Sequence, residues 1–273
     1  MKFGIITPVY EKCLDSIELL YEDLKRQTHK DWIWFLCSNG ISKKFSEFVE
    51  RKNRTDENHR IVYLSTSYSD QSNCFSLIAN IGKRRNLCIK KIDCDYIFMF
   101  DADAKLLDKQ MFQIISEELR KRPTKVCVYH IMHEEHGVLP KFPININRID
   151  LLNFCVQKGL ARKIGYPTTV DFYIRANDFN FFVRAYKACD GDAMLLQNVF
   201  CEYNGNNRYK NILKNLKEMD NKKYSALKYY LIYGIKHHPL GLLKTIKDYP
   251  FSINILPFRV VFERDLFYKN KES

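Results

Sequence analysis

Hydrophobic positions along this chain of 273 residues follow two alternating rhythms. Short runs rich in strand formers, residues 3 to 7, Trp32 to Ser38, Ile61 to Ser65 and Tyr96 to Phe100, are separated by stretches whose apolar residues return every three or four positions. Leu14, Ile17, Tyr21 and Leu24 share one face of a helix over residues 13 to 27. Phe45, Phe48 and Val49 mark a second helix, which Ser42 is placed to cap. After a polar connection from Ser67 to Asn73, a third carries Phe75, Ile78, Ala79 and Gly82 on one stripe. Further on, Asp108 is placed to cap a helix, Val126 to Ile131 reads as a strand, and Asp150 to Lys163 reads as an amphipathic helix. Pro140, Pro143 and Pro167 interrupt the stretch around that helix.

Strands alternating with helices imply an α/β fold, with a mainly parallel sheet covered by helices on both faces. In such sheets ligands bind outside the carboxyl ends of the strands. Thr7-Pro8-Val9-Tyr10 leaves the first strand, Ser38-Asn39-Gly40 the second and Asp101-Ala102-Asp103 the fourth, so the three are expected to line one crevice. In an extended segment Asp101 and Asp103 would point the same way. Mg²⁺ or Mn²⁺ held by one or two carboxylates completes its shell with water and phosphate oxygens, which suits binding of a nucleoside diphosphate. The competing reading is a solvated strand-to-loop turn. Two more D-x-D triplets are worse placed: Asp93-Cys94-Asp95 lies at the opposite end of the strand, and Asp190-Gly191-Asp192 in a polar turn. A G-x-G-x-x-G fingerprint after the first strand and a Walker A loop are both absent, which disfavours hydride transfer on NAD and P-loop phosphoryl transfer.

Taken in order, Ile5-Ile6-Thr7-Pro8-Val9-Tyr10, Ser38-Asn39-Gly40, Lys83-Arg84-Arg85-Asn86, Phe100-Asp101-Ala102-Asp103, and Asn177-Asp178 followed by Phe182-Val183-Arg184 resemble the family 2 glycosyltransferases of GT-A fold. The resemblance covers residues 1 to 205. It implies an inverting transfer of a sugar from a nucleoside diphosphate to a hydroxyl of a glycan or lipid-linked acceptor, with Mn²⁺ or Mg²⁺ at Asp101 and Asp103. It further implies that Thr7, Pro8, Tyr10, Ser38, Asn39, Arg85, Asn86 and Asp101 contact the donor and that Asp178 is the catalytic base. A GT-A Rossmann-like domain then spans residues 1–206, with a nucleotide-sugar half (1–105) and an acceptor half (106–206). Two positions depart from the family's pattern: Ser38 and Asn39 stand where it usually has acids, one of which helps hold the nucleobase, and Asn177 where it usually has Glu. Asp178 also reads as a helix cap, with Asp171 as the rival base, and Lys83 to Asn86 also reads as a solvated basic face.

Composition narrows the class further. A 46% hydrophobic share with 14% aromatics is that of a globular chain, and no segment has the roughly 18 uninterrupted apolar residues of a membrane span. The N-terminus enters a strand pattern directly, without an apolar signal region, so a cytoplasmic protein is expected. Nine cysteines without a C-x-x-C pair suit reduced core residues. Of the net charge of +12, residues 207–273 carry +8, with 14 Lys and Arg against 6 Asp and Glu interleaved with aromatics. This basic, helical extension either sits on an anionic membrane surface from the cytoplasmic side or packs back on the domain; nucleic-acid binding is less favoured, because no recognition module accompanies the charge. His130, His133 and His136 suggest zinc only if the backbone turns tightly there, and His130 ends an apolar strand. The rival to an enzyme is a non-catalytic protein on a degenerate nucleotide fold that binds membrane or nucleic acid.

Overall fold

The computed structural model describes residues 1–55, 60–67, 74–133, 137–142, 144, 149–168 and 177–203. The basic extension over 207–273, Asp171, His136, Pro143 and most of the Ser67 to Asn73 connection lie outside the described residues, as do the side chains of Phe75 and Ile78.

The first half of the chain alternates as its hydrophobic rhythm requires. Strands β1 (Phe3–Val9), β2 (Trp32–Asn39), β3 (Ile61–Thr66) and β4 (Tyr96–Met99) are separated by helices α1 (Leu14–Arg26), α2 (Lys43–Thr55) and α3 (Cys74–Lys91). They pair in parallel in the order β3-β2-β1-β4. Then come the two-residue β5 (Lys105–Leu106), α4 (Met111–Lys121), β6 (Val126–His133), β7 (Gly137–Leu139), β8 (Phe154–Gln157), α5 (Lys158–Ile164), α6 (Asn177–Ala188) and β9 (Ala193–Tyr203). The nine strands form one sheet in the order β3-β2-β1-β4-β8-β6-β9-β5, with β7 paired to β6.

Both faces of this sheet are covered, which is why its strands read as unbroken apolar runs. Phe3 and Ile5 of β1, Trp34 and Leu36 of β2, Phe98 of β4, and Cys127 and Tyr129 of β6 join one core with Ile17 and Leu20 of α1, Phe45 and Phe48 of α2, and Phe112 and Ile115 of α4. The alternate residues Ile6, Phe35, Cys37, Ile97, Met99, Val126 and Val128 join a second core with Ile89 of α3, Leu160 of α5 and Phe182 of α6. Phe98 is the hub of the first, its ring 5.2 Å from that of Phe3, 5.1 Å from Phe112 and 6.2 Å from Tyr129.

Three expectations are corrected. The sheet is mixed rather than mainly parallel: β8 runs antiparallel between β4 and β6, and β5 and β7 are antiparallel to β9 and β6, although β6 and β9 themselves pair in parallel. The helix expected over 150–163 is instead a single 3₁₀ turn (Leu151–Asn153), β8 and the short α5. Its first half, Leu151-Leu152-Asn153-Phe154-Cys155-Val156, is buried throughout, so no polar stripe exists to orient a helix and the slot between β4 and β6 decides. Asn153 anchors the entry, donating to the carbonyls of Tyr129 and Leu139 and accepting from the Asp150 N–H. Finally, Asp108 accepts from the Gln110 N–H one turn ahead of α4, while the first-turn N–H of Phe112 is met by Gln27 at the end of α1.

Candidate active site

At the carboxyl end of β4 the Phe100 N–H still bonds the carbonyl of Ile6, and the chain then turns, with the Ala104 N–H bonding back to the Asp101 carbonyl at 3.1 Å. Asp101-Ala102-Asp103 is therefore a tight turn and not the extended segment the pattern suggested, and its two carboxylates meet different surroundings. The Asp101 side chain remains 41% exposed, whereas Asp103 is buried and its Oδ1 has no hydrogen-bond partner among the described residues. Burial pushes the Asp103 carboxyl up to about 7, with the Asp101 charge adding to the rise and a backbone hydrogen bond opposing it.

Arg85 approaches this turn from α3. Its guanidinium is buried and donates from Nη2 to Asp101 Oδ1 at 2.6 Å and from Nη1 to the Tyr166 hydroxyl at 2.8 Å. Tyr166 in turn donates to Asp178 Oδ1 at 2.5 Å, and Arg85 Nη1 lies 3.8 Å from that same oxygen. One array thus runs from Asp101 at the end of β4, through α3 and the segment after α5, to Asp178 in the first turn of α6. Burial disfavours the Arg85 charge, but Tyr166, Asp101 and Asp178 around it hold the guanidinium protonated. Burial raises Asp178 above the ordinary carboxylate range and Asp101 adds to this, while Arg85 and the Tyr166 hydroxyl pull the other way. Asp178 stands inside helix α6, after Asn177, rather than at its cap, and a carboxylate in that first turn meets the positive end of the helix.

The segment carrying Tyr166 is laid directly on α3. Asn86 accepts from the Tyr166 N–H at 2.6 Å and donates to its carbonyl at 2.8 Å, in the manner of a strand partner. One turn earlier, a Cβ on Gly82 would lie 2.3 Å from the Pro167 carbonyl oxygen, so only glycine permits this approach. The turn begins at Gly165, whose φ is +63°.

The remaining expected contacts divide. Thr7 is wholly buried, its hydroxyl accepting from the Trp34 indole. Ser38 is likewise turned inward, donating to the Gly40 carbonyl and bonding the Tyr63 hydroxyl. Pro8 and Asn39 are half-buried and Tyr10 is exposed, all at the carboxyl ends of β1 and β2. Asn86 is committed to the Tyr166 backbone. The two other D-x-D triplets are occupied elsewhere: Asp93 pairs with Lys158 and Lys2 at the far end of β4, and Asp192 with Arg122. His130 bonds the Gln197 carbonyl while His133 stacks on Tyr203, so these two histidines turn to different neighbours. Tyr166 and Asp150 escape a reading of the sequence. Burial first, then the charge of Asp178, drives Asp150 well above the carboxylate range, which places it in the same acidic field.

Among the described residues no three His, Cys, Asp or Glu side chains are grouped to hold a metal ion by themselves. The residues present nevertheless fit a hard divalent cation that takes most of its shell from water and a diphosphate, since Asp103 presents an unpartnered buried oxygen two residues from the partly exposed Asp101.

No protein-family model and no curated protein matches the chain. Solved structures do. A fragment of S. aureus TarS, residues 1-349, superposes with a TM-score of 0.56 at 16% identity, over 74% of this chain and 60% of the fragment. The same fragment solved with UDP-GlcNAc gives 0.57 at 15% identity, over 74% and 58%. The mannosyltransferase PcManGT from Pyrobaculum calidifontis, in complex with GDP-Man and Mn²⁺, gives 0.54 at 11% identity, over 91% of this chain and 74% of that one. The chain spans less than two thirds of the TarS fragment's length. At these identities the likeness is one of fold, and the chain has a GT-A-like glycosyltransferase fold.

Proposed function

We propose that the protein is a metal-dependent, inverting glycosyltransferase that moves a sugar from a nucleoside diphosphate to a hydroxyl of a glycan or lipid-linked acceptor. The observation that carries this reading is the array joining two partly exposed carboxylates, Asp101 and Asp178, through the buried Arg85. In this reading Asp101 belongs to the donor side and Asp178 to the acceptor side, with Arg85 of α3 bridging them. The structural neighbours agree in kind, one being a mannosyltransferase solved with GDP-Man and Mn²⁺ and another binding UDP-GlcNAc.

In the proposed mechanism Asp101 and Asp103 would hold Mn²⁺ or Mg²⁺, which when bound would supply positive charge to offset the charge that grows on the leaving diphosphate. Arg85 keeps Asp101 in place and adds a fixed positive charge near the phosphates. The acceptor oxygen bonds to the anomeric carbon as the bond from that carbon to the phosphate oxygen breaks, and its proton passes to Asp178. Attack from the face opposite the leaving diphosphate inverts the configuration. Pro8, Tyr10 and Asn39 flank the donor, and residues 106–206 supply the acceptor side. The basic terminal quarter is proposed to hold the enzyme against an anionic membrane surface, which would suit a lipid-linked acceptor.

The test is to incubate the protein with a panel of nucleotide sugars that includes UDP-GlcNAc and GDP-mannose, with Mn²⁺ or with chelator, and to measure released nucleoside diphosphate. Release that needs the metal, is lost in Asp103→Ala and survives in Asp93→Ala and Asp192→Ala is expected. Equal loss in all three variants would sink the metal assignment.

A further inference from the structure

The phenol of Tyr166 is the least accessible member of the array and the one whose hydrogen-bond direction is fixed by chemistry. A guanidinium has no lone pair to offer, so Arg85 must donate to the Tyr166 oxygen, and the phenolic proton is left to point at Asp178. The chain of donors therefore runs one way, from Arg85 to Tyr166 to Asp178 Oδ1.

We infer that Tyr166 is a positioning residue for Asp178: by holding Oδ1 it fixes the rotation of the carboxylate and leaves Oδ2 as the atom that receives the acceptor's proton. The inference rests on the proposed role of Asp178 as base. At 3% exposure Tyr166 does not reach a substrate, so its influence passes through the residue it touches. It is itself unusually well held. Asn86 takes both its backbone groups, Gly82 admits the carbonyl of Pro167, the Phe181 ring lies 5.3 Å away, and Arg85 Cζ sits 4.7 Å from the centre of its own ring. A carboxylate in a cleft, its side chain 33% exposed, would otherwise sample several rotamers, and a base displaced by a fraction of an ångström loses its line to the acceptor hydroxyl. The Tyr166 hydroxyl at 2.5 Å is the closer partner of Asp178, whose ion pair with Arg85 is longer at 3.8 Å, so the neutral hydroxyl sets the carboxylate's orientation while the cation lies behind it.

Tyr166→Phe removes only the hydroxyl, since the Asn86 bonds are to backbone and the ring contacts with Phe181 and Arg85 remain. With Mn²⁺ and either UDP-GlcNAc or GDP-mannose, nucleoside diphosphate release should slow in kcat by about ten- to a hundredfold, the loss of one charge-assisted hydrogen bond, with donor KM and melting temperature little changed. In combination with Asp178→Asn the double variant should be no slower than Asp178→Asn alone, because the hydroxyl acts only through the carboxylate. A wild-type kcat in Tyr166→Phe beside a slow Asp178→Asn, or losses that multiply in the double variant, would overturn the inference while leaving the base assignment standing. Full turnover in Asp178→Asn would instead remove the base assignment, and the positioning role with it. A second measurement needs no turnover: the Asp178 carboxyl ¹³C resonance, with Arg85, Asp101 and Asp150 unchanged around it, should titrate at higher pH in Tyr166→Phe than in the wild type. An unmoved midpoint counts against the hydrogen bond and refutes the inference on its own.

Discussion

Asp103 sets burial and charge most directly against each other. Its carboxyl titrates at about 7 in the folded chain against an ordinary 3.8, so between those values the folded state binds a proton that the unfolded state has released. Stability from this group is full at low pH and is lost as pH rises through that window. A bound divalent ion reverses the sign, because it takes only the ionised form. Thermal melts at about pH 5 and about pH 8, with and without Mn²⁺, should therefore show Mn²⁺ stabilising the protein more at the higher pH, and Asp103→Asn should abolish the difference. At this scale the sequence singles out Asp101 and Asp103 by their place after a strand and Arg85 and Asp178 by a resemblance of motifs, and the structure joins Asp101, Arg85 and Asp178 in one array. It does not disclose Tyr166, which stands 81 positions from Arg85 and meets it only because the segment after α5 returns to α3. Nor does it reveal that Thr7 and Ser38 face inward, since small hydroxyl residues at strand ends serve a core hydrogen bond as readily as a ligand.

Between elements, the turn after Asp103 is steadied from behind by α1. Asp23 accepts from the Leu106 N–H at 3.0 Å, the Thr28 N–H bonds the Lys109 carbonyl at 2.8 Å, and Gln27 spans Asp108 and Phe112. Gln27 is 1% exposed, so Gln27→Ala leaves the buried Phe112 N–H without its partner, while the Asp108 carbonyl keeps the Met111 N–H, and should cost about 1–3 kcal/mol. Urea unfolding is expected to show that loss as a lowered midpoint with an unchanged slope. The parallel strands β1 to β4 were readable because each is a short β-rich run bounded by a helix of 3.6 period. β8 was not, because Leu151 to Val156 is buried on every side and carries no period at all, so the vacancy between β4 and β6 makes the choice that the local sequence leaves open.

Across the whole molecule, charge is divided by position: an excess of +8 lies in residues 207–273, leaving +4 for the rest of the +12. No helix among the described residues is long and apolar enough to cross a membrane. If the terminal quarter serves as a surface anchor, the full chain should sediment with phosphatidylserine vesicles at low ionic strength and be released as salt shortens the Debye length to about 8 Å and below. Retention at high salt, or failure to bind at low salt, would remove the membrane from the proposal.

The contact between Gly82 and the Pro167 carbonyl bears on how this chain can diverge. A site usually advertises itself by the side chains it keeps, yet here a severe constraint is a missing methyl group. If Pro8, Tyr10 and Asn39 flank the donor as proposed, drift that exchanges them would alter what the crevice accepts and leave its frame intact. Drift at Gly82 would lift the segment that carries Tyr166 and so loosen its hold on Asp178. Under the proposed function, donor preference would be free to change while position 82 stays fixed, and a comparison of side chains alone would overlook the residue that lets the Tyr166 segment lie on α3.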